Sequence, residues 1–281
     1  MPATTLIPLV TGLLYAAAHT SAASLYDRTD YSAALSELNQ ADPDAGNLEL
    51  RGQCYFMLGD FKKATDALER AAALDPRASM IQTWLGRAWG YRAATSFAFT
   101  AFGYANKSRE AFEKALQLDP GNTAALGDLF DFYIDAPGVV GGGLDKAAGL
   151  LPQFMRYDPV GGYLAQARID EKRKQFASAE AGFRKAIDAA PDKVGLYLNL
   201  AQFLSRRERY EESEAAFRQA ANVAPDSPRI LFARADSLIQ AKRHPDQARD
   251  LLKKYLAAGN LTPDDPPRWR ALELLKKAGG G

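Results

Sequence analysis

One pattern of small and large residues occurs twice in the sequence, with a spacing of 34 residues. It consists of an aromatic residue, a small residue, a second aromatic residue, another small residue and a proline. The positions are Phe176, Ala179, Phe183, Ala186 and Pro191 in the first copy, and Tyr210, Ser213, Phe217, Ala220 and Pro225 in the second. Such a period indicates a repeat of two antiparallel helices, because small residues let helices approach closely, a large residue fills the remaining space and proline ends the second helix. The chain is therefore predicted to be all-α.

The composition argues against several kinds of partner and chemistry. The chain has 35 Lys and Arg against 34 Asp and Glu, so it lacks the basic field that nucleic acid requires. Cys54 is the only cysteine, which excludes an intramolecular disulfide, and its apolar neighbours indicate a buried packing residue. The two histidines, His19 and His244, have no further ligands at metal-binding spacing. No metal or cofactor is predicted.

A further set of residues follows the same period in the N-terminal half. It comprises Gly52, Tyr55, Gly59, Phe61, Ala64, Leu68, Ala71 and Pro76, with Asp60 as the predicted N-cap of a helix. This spacing resembles the tetratricopeptide repeat (TPR) family over residues 30–254, although the last unit, Leu231 to Tyr255, matches weakly. The resemblance implies a right-handed superhelical solenoid of about six to seven helix-turn-helix repeats. Members of the family usually bind peptides or proteins and are not usually enzymes.

Two insertions interrupt the period between the paired helices of a repeat. They lie at about residues 94–106 and 136–143, and the second contains Pro137-Gly-Val-Val-Gly-Gly-Gly143. This glycine-rich loop resembles one in exported bacterial TPR proteins of unassigned activity. The loop lacks the Gly-Lys-Ser/Thr sequence of a phosphate-binding loop, so we interpret it as a turn that needs positive φ. We expect both insertions on the edge formed by the turns, which often marks a binding face.

The first insertion is rich in aromatic residues: Phe97, Phe99, Phe102 and Tyr104. Phe97 and Tyr104 share one helical face, whereas Phe99 and Phe102 form another. The aromatic residues either pack against the glycine-rich loop or bind a partner protein, and the two interpretations are compatible.

Charged and polar residues recur on the first helix of successive repeats. The candidates for partner binding are Arg87, Asp128, Asp131, Asp135, Arg168, Lys172, Asn199, Gln202 and Arg206. The register predicts that Asp131 lies near both Arg87 and Arg168. These residues form either a ladder of partly exposed ion pairs, each worth about 0–1 kcal/mol, or a groove that binds a charged peptide.

The ends of the chain are predicted to lie outside the repeats. Residues 1–23 read as a signal peptide cleaved after Ala18 or Ala23, because an apolar run, Leu6 to Tyr15, precedes small residues. The alternative places a first repeat helix at Leu9 to Thr29. Residues 24–258 form the repeats, and 259–281 form a linker, a capping helix and a glycine tail. We expect Trp269, Leu272 and Leu275 to share the apolar face of the capping helix.

These features predict a non-enzymatic scaffold for protein–protein interaction in a bacterial cell envelope, periplasmic or otherwise exported. The run from Leu6 is too short to span a membrane. A cytoplasmic location is the alternative. Two other functions stay open: a structural subunit that associates with itself, and a small-molecule binder or enzyme with a site under the glycine-rich loop.

Overall fold

The computed structural model describes residues 21–279, and fifteen α-helices run through this part of the chain without a β-strand. Residues 21–27 are also helical, and most of the predicted signal peptide lies outside the described residues. The helices are α1 (Tyr31–Leu38), α2 (Ala45–Met57), α3 (Phe61–Leu74), α4 (Ser79–Ala94), α5 (Ala98–Leu118), α6 (Thr123–Asp135), α7 (Leu144–Gly149), α8 (Leu151–Tyr157), α9 (Pro159–Lys172), α10 (Phe176–Ala189), α11 (Val194–Arg206), α12 (Tyr210–Val223), α13 (Pro228–Gln240), α14 (Pro245–Ala257) and α15 (Arg268–Gly279). The prediction of an all-α repeat protein is confirmed.

The chain divides into two compact units. Among the described residues, the first consists of residues 21–119 together with Thr262–Asp264, and the second of Pro120–Leu261 and residues 265–279. In the first unit, α2 packs against α3 and α4 against α5. In the second, the pairs are α9 with α10, α11 with α12 and α13 with α14. Within residues 21–279, none of the helices combines the length and the apolar character needed to cross a bilayer.

Polar side chains and tight turns determine where the helices begin. The side chains of Asp30, Asp44, Asp60, Asn122 and Asp158 each accept a hydrogen bond from the backbone N–H three residues further on. Each bond satisfies a backbone donor that has no partner inside its helix. The predicted N-cap at Asp60 is therefore confirmed.

The turn before several second helices places one residue in the left-handed region. Gly59 has φ of 80° in one of these turns. In the corresponding turns of other repeats, Thr29, Lys174, Glu208 and Lys242 have φ between 52° and 62°. Glycine adopts this conformation without steric cost, whereas the other four residues carry a Cβ that opposes it.

Small residues lie where paired helices cross. A Cβ atom on Gly52 would lie 2.4 Å from Cγ of Leu68, and one on Gly86 would lie 2.5 Å from the ring of Phe112. Because neither position has room for a side chain, the helices of each pair pack at close range. The predicted role of the small residues at these positions is confirmed.

The glycine-rich loop is a turn with its backbone groups satisfied internally. The N–H groups of Gly141, Gly142 and Gly143 donate to the carbonyl oxygens of Gly138, Pro137 and Tyr133, respectively. Gly141 has φ of 95°, and a Cβ on Gly142 would lie 1.9 Å from the Ala136 carbonyl oxygen. Since these three donors are already used, the loop does not offer them to a phosphate group.

Helix α15 covers the last repeat, but its buried face differs from the predicted one. Ala271 is fully buried against α13 and α14, and Leu274 and Leu275 pack beside it. Leu272, which we expected on this face, is 48% exposed. Leu275, which we also expected on this face, does pack there, so the buried face includes Ala271 and Leu275 but not Leu272. The linker before α15 is fixed by an ion pair of 3.1 Å between Arg229 and Asp265.

Candidate protein-interaction surfaces

The first insertion exposes three phenylalanine side chains. Phe97 precedes α5, and Phe99 and Phe102 lie in its first two turns. Their relative exposures are 91%, 98% and 41%. We refer to Phe97, Phe99 and Phe102 as the aromatic tip. Side chains of this size contribute strongly to binding when a partner removes them from water.

Tyr104, also predicted as a partner-binding residue, packs within the first unit. Its ring stacks on that of Trp89, with 5.0 Å between the ring centroids. Arg92 donates to the Tyr104 hydroxyl over 3.0 Å and to Oγ1 of Thr65 over 2.8 Å, and its guanidinium lies over both rings. These contacts connect α3, α4 and α5, and they hold in place the part of α5 that directly follows the aromatic tip. Partner binding by Tyr104 itself stays a prediction.

In the second unit, charged residues on α6, α9 and α11 form a row of ion pairs. Each of these helices is the first helix of its repeat. Arg168 of α9 pairs with Asp131 and Asp135 of α6, and Lys172 lies 2.8 Å from Asp135. The predicted approach of Asp131 to Arg168 is therefore present. We refer to Asp131, Asp135, Arg168, Lys172, Glu171 and Arg206 as the ion-pair row.

Glu171 and Arg206 continue the row from α9 to α11. The Nε and Nη2 atoms of Arg206 each lie 2.8 Å from a carboxylate oxygen of Glu171. This bidentate geometry is the strongest that an arginine and a carboxylate adopt. Glu171 was absent from the predicted set, although its position directly before Lys172 and 35 residues before Arg206 is a sequence signal for this pair.

The remaining predicted residues are distributed over both units. Arg87 lies on α4 with its guanidinium 4.6 Å from the ring centre of Trp84. Asp128 lies on α6, and Asn199 and Gln202 lie half-buried on α11. Arg87 belongs to the first unit and Asp131 to the second, so their pairing stays a prediction.

Titratable groups in these units show the effects of packing and pairing. Burial raises the pKa of the Cys54 thiol to about 12, so this cysteine is protonated at neutral pH and a poor nucleophile. Hydrogen bonds, first from Arg209 and then from Arg184, hold the pKa of Glu180 below its usual range. Burial raises the pKa of Asp236. Residues 21–279 contain no group of three or more His, Cys, Asp or Glu side chains that could hold a metal ion.

Comparison with known proteins adds sequence and structural matches. Two family models described as tetratricopeptide repeat match residues 45–78 and 170–236. A TPR protein from Parabacteroides merdae superposes with a TM-score of 0.61 at 16% identity, over 96% of this chain and 100% of that chain. A thermophilic TPR protein from Thermus thermophilus gives 0.54 at 20% identity, over 72% of this chain and 99% of that chain.

A third structural match is PilW, described as a widely conserved type IV pilus biogenesis factor. Its TM-score is 0.50 at 15% identity, over 81% of this chain and 98% of that chain. A search of curated proteins gives no match.

The paired helices and their 34-residue period define an all-α helical-repeat protein. Family models described as tetratricopeptide repeat match repeats in both units, and the solved structures share the fold. The chain contains tetratricopeptide repeats at residues 45–78 and 170–236, and its fold is that of solved tetratricopeptide repeat proteins.

Proposed function

We propose that the protein is a non-enzymatic scaffold that binds a partner protein through the aromatic tip. The observation that carries this proposal is the exposure of Phe97 and Phe99, at 91% and 98%. Exposure of neighbouring phenylalanine side chains to water is unfavourable. Clusters of exposed apolar residues therefore mark interaction sites. The repeats of this family support the same function.

The ion-pair row is a weaker candidate for the main contact. Its members already neutralise one another, so a charged peptide would have to break pairs before forming its own. Asp131 and Asp135 are more than half exposed and remain available for additional contacts at the rim of a bound partner. The row therefore suits selection among partners better than it suits affinity.

Site-specific photo-crosslinking in cells of the native organism tests the tip. A photoreactive phenylalanine analogue replaces Phe97 in one variant and Leu74, which is 59% exposed on α3, in a control variant. We expect a crosslinked protein with the analogue at position 97 and none at position 74. The crosslinked protein should also lose affinity for purified Phe97→Ser/Phe99→Ser protein. The same crosslinks from both positions, or unchanged affinity, would contradict the proposal.

Self-association is the alternative that the exposed tip also favours. Sedimentation equilibrium over a range of concentrations distinguishes the two. A dimer or larger assembly that dissociates in the Phe97→Ser/Phe99→Ser variant would make a second copy of the chain the partner. A monomer at all concentrations would leave a different protein as the partner.

We place the scaffold in the bacterial cell envelope. Two observations support this: the apolar run Leu6 to Tyr15 followed by small residues, and the similarity to a solved pilus biogenesis factor. Fusion of alkaline phosphatase to the C-terminus of the full chain provides the measurement. We expect phosphatase activity that is lost when residues 2–23 are deleted. Equal activity from both fusions, or none from either, would contradict export through this segment.

A further inference from the structure

One position of the 34-residue period changes from large to small along the second unit. Ala167, Ala201 and Ala235 follow the period and are all fully buried. Two residues after each of them lie Ile169, Phe203 and Ser237. Ile169 and Phe203 are fully buried, so the first two repeats fill this position with a large apolar side chain. The third repeat has only a hydroxymethyl group there.

The missing side chain leaves a cleft beside a buried aromatic ring. The ring centroids of Phe203 and Phe183 are 5.1 Å apart, and Phe217 follows Phe183 by 34 residues. Phe217 therefore faces Ser237 where Phe183 faces Phe203. A cleft of about 580 Å³ lies at this place, and Phe217, Leu238 and Ala241 form its apolar part, with Ser237 beside them. This volume lies within the range of pockets that bind small groups.

The hydroxyl group of Ser237 forms no hydrogen bond among the described residues. Ser237 is 6% exposed, and its Oγ is buried without a hydrogen-bond partner among the described residues. Ser213, in the same cleft, donates from its Oγ to the Ala201 carbonyl over 2.7 Å. A buried hydroxyl without a partner is unfavourable, and a polar atom of a ligand at the base of the cleft would satisfy it.

Three of the charged residues that line the cleft make contacts within the protein. Arg234 pairs with Glu214, and the guanidinium of Arg243 lies 3.8 Å from the ring centre of Tyr210. Arg207 lies in a similar way over the ring of Phe176, the residue 34 positions before Tyr210. Glu211, Arg218 and Gln247 also line the cleft, so its mouth is polar, and the apolar contacts available to a ligand lie beside Ser237.

We propose that this cleft binds an aromatic side chain of a partner peptide, with tyrosine preferred over phenylalanine. The ring occupies the space that Phe203 fills in the preceding repeat and packs against Phe217 and Leu238. The phenol hydroxyl forms the hydrogen bond that Ser237 lacks. The proposal rests on the proposed function only in that the ligand is a protein segment, and the cleft is separate from the aromatic tip.

Saturation-transfer NMR with the full chain tests this binding. The probes are N-acetyltyrosinamide, N-acetylphenylalaninamide and N-acetylleucinamide at millimolar concentration. We expect transfer to the ring protons in the order tyrosine, then phenylalanine, and the weakest transfer to the leucine side chain. The absence of transfer to either aromatic probe would overturn the proposal, whatever the crosslinking at Phe97 shows.

Three variants of Ser237 and one control variant assign the signal to the cleft. Ser237→Phe fills the space and should reduce transfer to both aromatic probes at least tenfold, while Ser237→Leu does the same if the phenylalanine variant does not fold. Ser237→Ala removes only the hydroxyl and should reduce tyrosine to the level of phenylalanine. Ser32→Phe, at an exposed serine of α1, is the control and should bind as the unaltered protein does. Equal transfer in the cleft-filling variant and the control would overturn the proposal.

Discussion

Phenylalanine occupies two opposite environments in this protein. Phe183 and Phe203 lie on the 34-residue period of the second unit and are at most 1% exposed. Phe97 and Phe99 lie in the insertion of the first unit and are more than 90% exposed. A residue on the period faces an equivalent surface of the next repeat, whereas an inserted residue has no such counterpart. The comparison separates aromatic residues that hold the fold together from those available to a partner.

The largest effect on stability is expected when a buried aromatic ring at a position of the 34-residue period is removed. Phe183→Ala should lower the free energy of unfolding by about 3–5 kcal/mol, because it leaves a cavity beside Phe203 and the transfer energy of the ring is lost. Denaturant unfolding followed by circular dichroism gives the value. A loss below about 1 kcal/mol would show that the ring is not a buried contact between repeats.

A smaller loss is expected where a side chain is added to the packed crossing of two helices. Gly86→Ala should cost about 1–3 kcal/mol, since the new Cβ lies 2.5 Å from the Phe112 ring, which is itself buried. Gly127→Ala on α6 is the matched control, because its Cβ meets no atom within 4 Å. The control should gain up to about 1 kcal/mol through helix propensity. Destabilisation of the control by the same amount would contradict the close approach at Gly86.

Ion pairs between repeats are expected to contribute a modest, pH-dependent effect. Arg209 and Arg184 lower the pKa of Glu180 in the folded state, so the contribution of Glu180 is present above its unfolded pKa of about 4.3 and is lost as the pH falls through the folded value. Glu180→Gln should therefore flatten the fall in stability between about pH 5 and pH 3. Glu69→Gln, at a half-exposed carboxylate, controls for the loss of one acidic group. An unchanged slope in Glu180→Gln would be the contrary result.

The smallest effect on stability is expected at the aromatic tip. Phe97→Ala/Phe99→Ala should change the free energy of unfolding by less than about 0.5 kcal/mol, because both side chains are already in water. The same variant should lose partner binding, measured by titration with the crosslinked partner once purified. A loss of stability comparable with that of Phe183→Ala would show that Phe97 and Phe99 are buried contacts. It would contradict the distinction between buried and exposed phenylalanine residues.

Much of the fold could be predicted from the sequence because the period is visible in residue size. The spacing of Ala179, Phe183 and Ala186 predicts a helix that packs one face, and the structure contains it. The burial of Ala271 in place of Leu272 on α15 could not be predicted, because both residues are apolar. Which of the two faces the preceding repeat depends on the distance between the helices, and the sequence does not state this distance.

The candidate surfaces were less predictable than the fold. The composition of the first insertion drew attention to Phe97 and Tyr104 equally, yet the structure exposes the first and stacks the second on Trp89. The contact depends on residues in three helices, and periodicity within one helix does not reveal it. The cleft at Ser237 was missed, although comparing Ile169, Phe203 and Ser237 at the same position of the period would have shown the change in size.

The left-handed turn residues make the thermostability of this scaffold adjustable. Gly59 adopts its positive φ without cost, whereas Lys174 and Glu208 adopt theirs against about 1–2 kcal/mol of steric strain. Exchanging either residue for glycine relieves that strain, minus the entropy that glycine loses on folding. Because each turn belongs to a different repeat, the gains should add. An engineer could raise the melting temperature one turn at a time without altering the aromatic tip or the cleft.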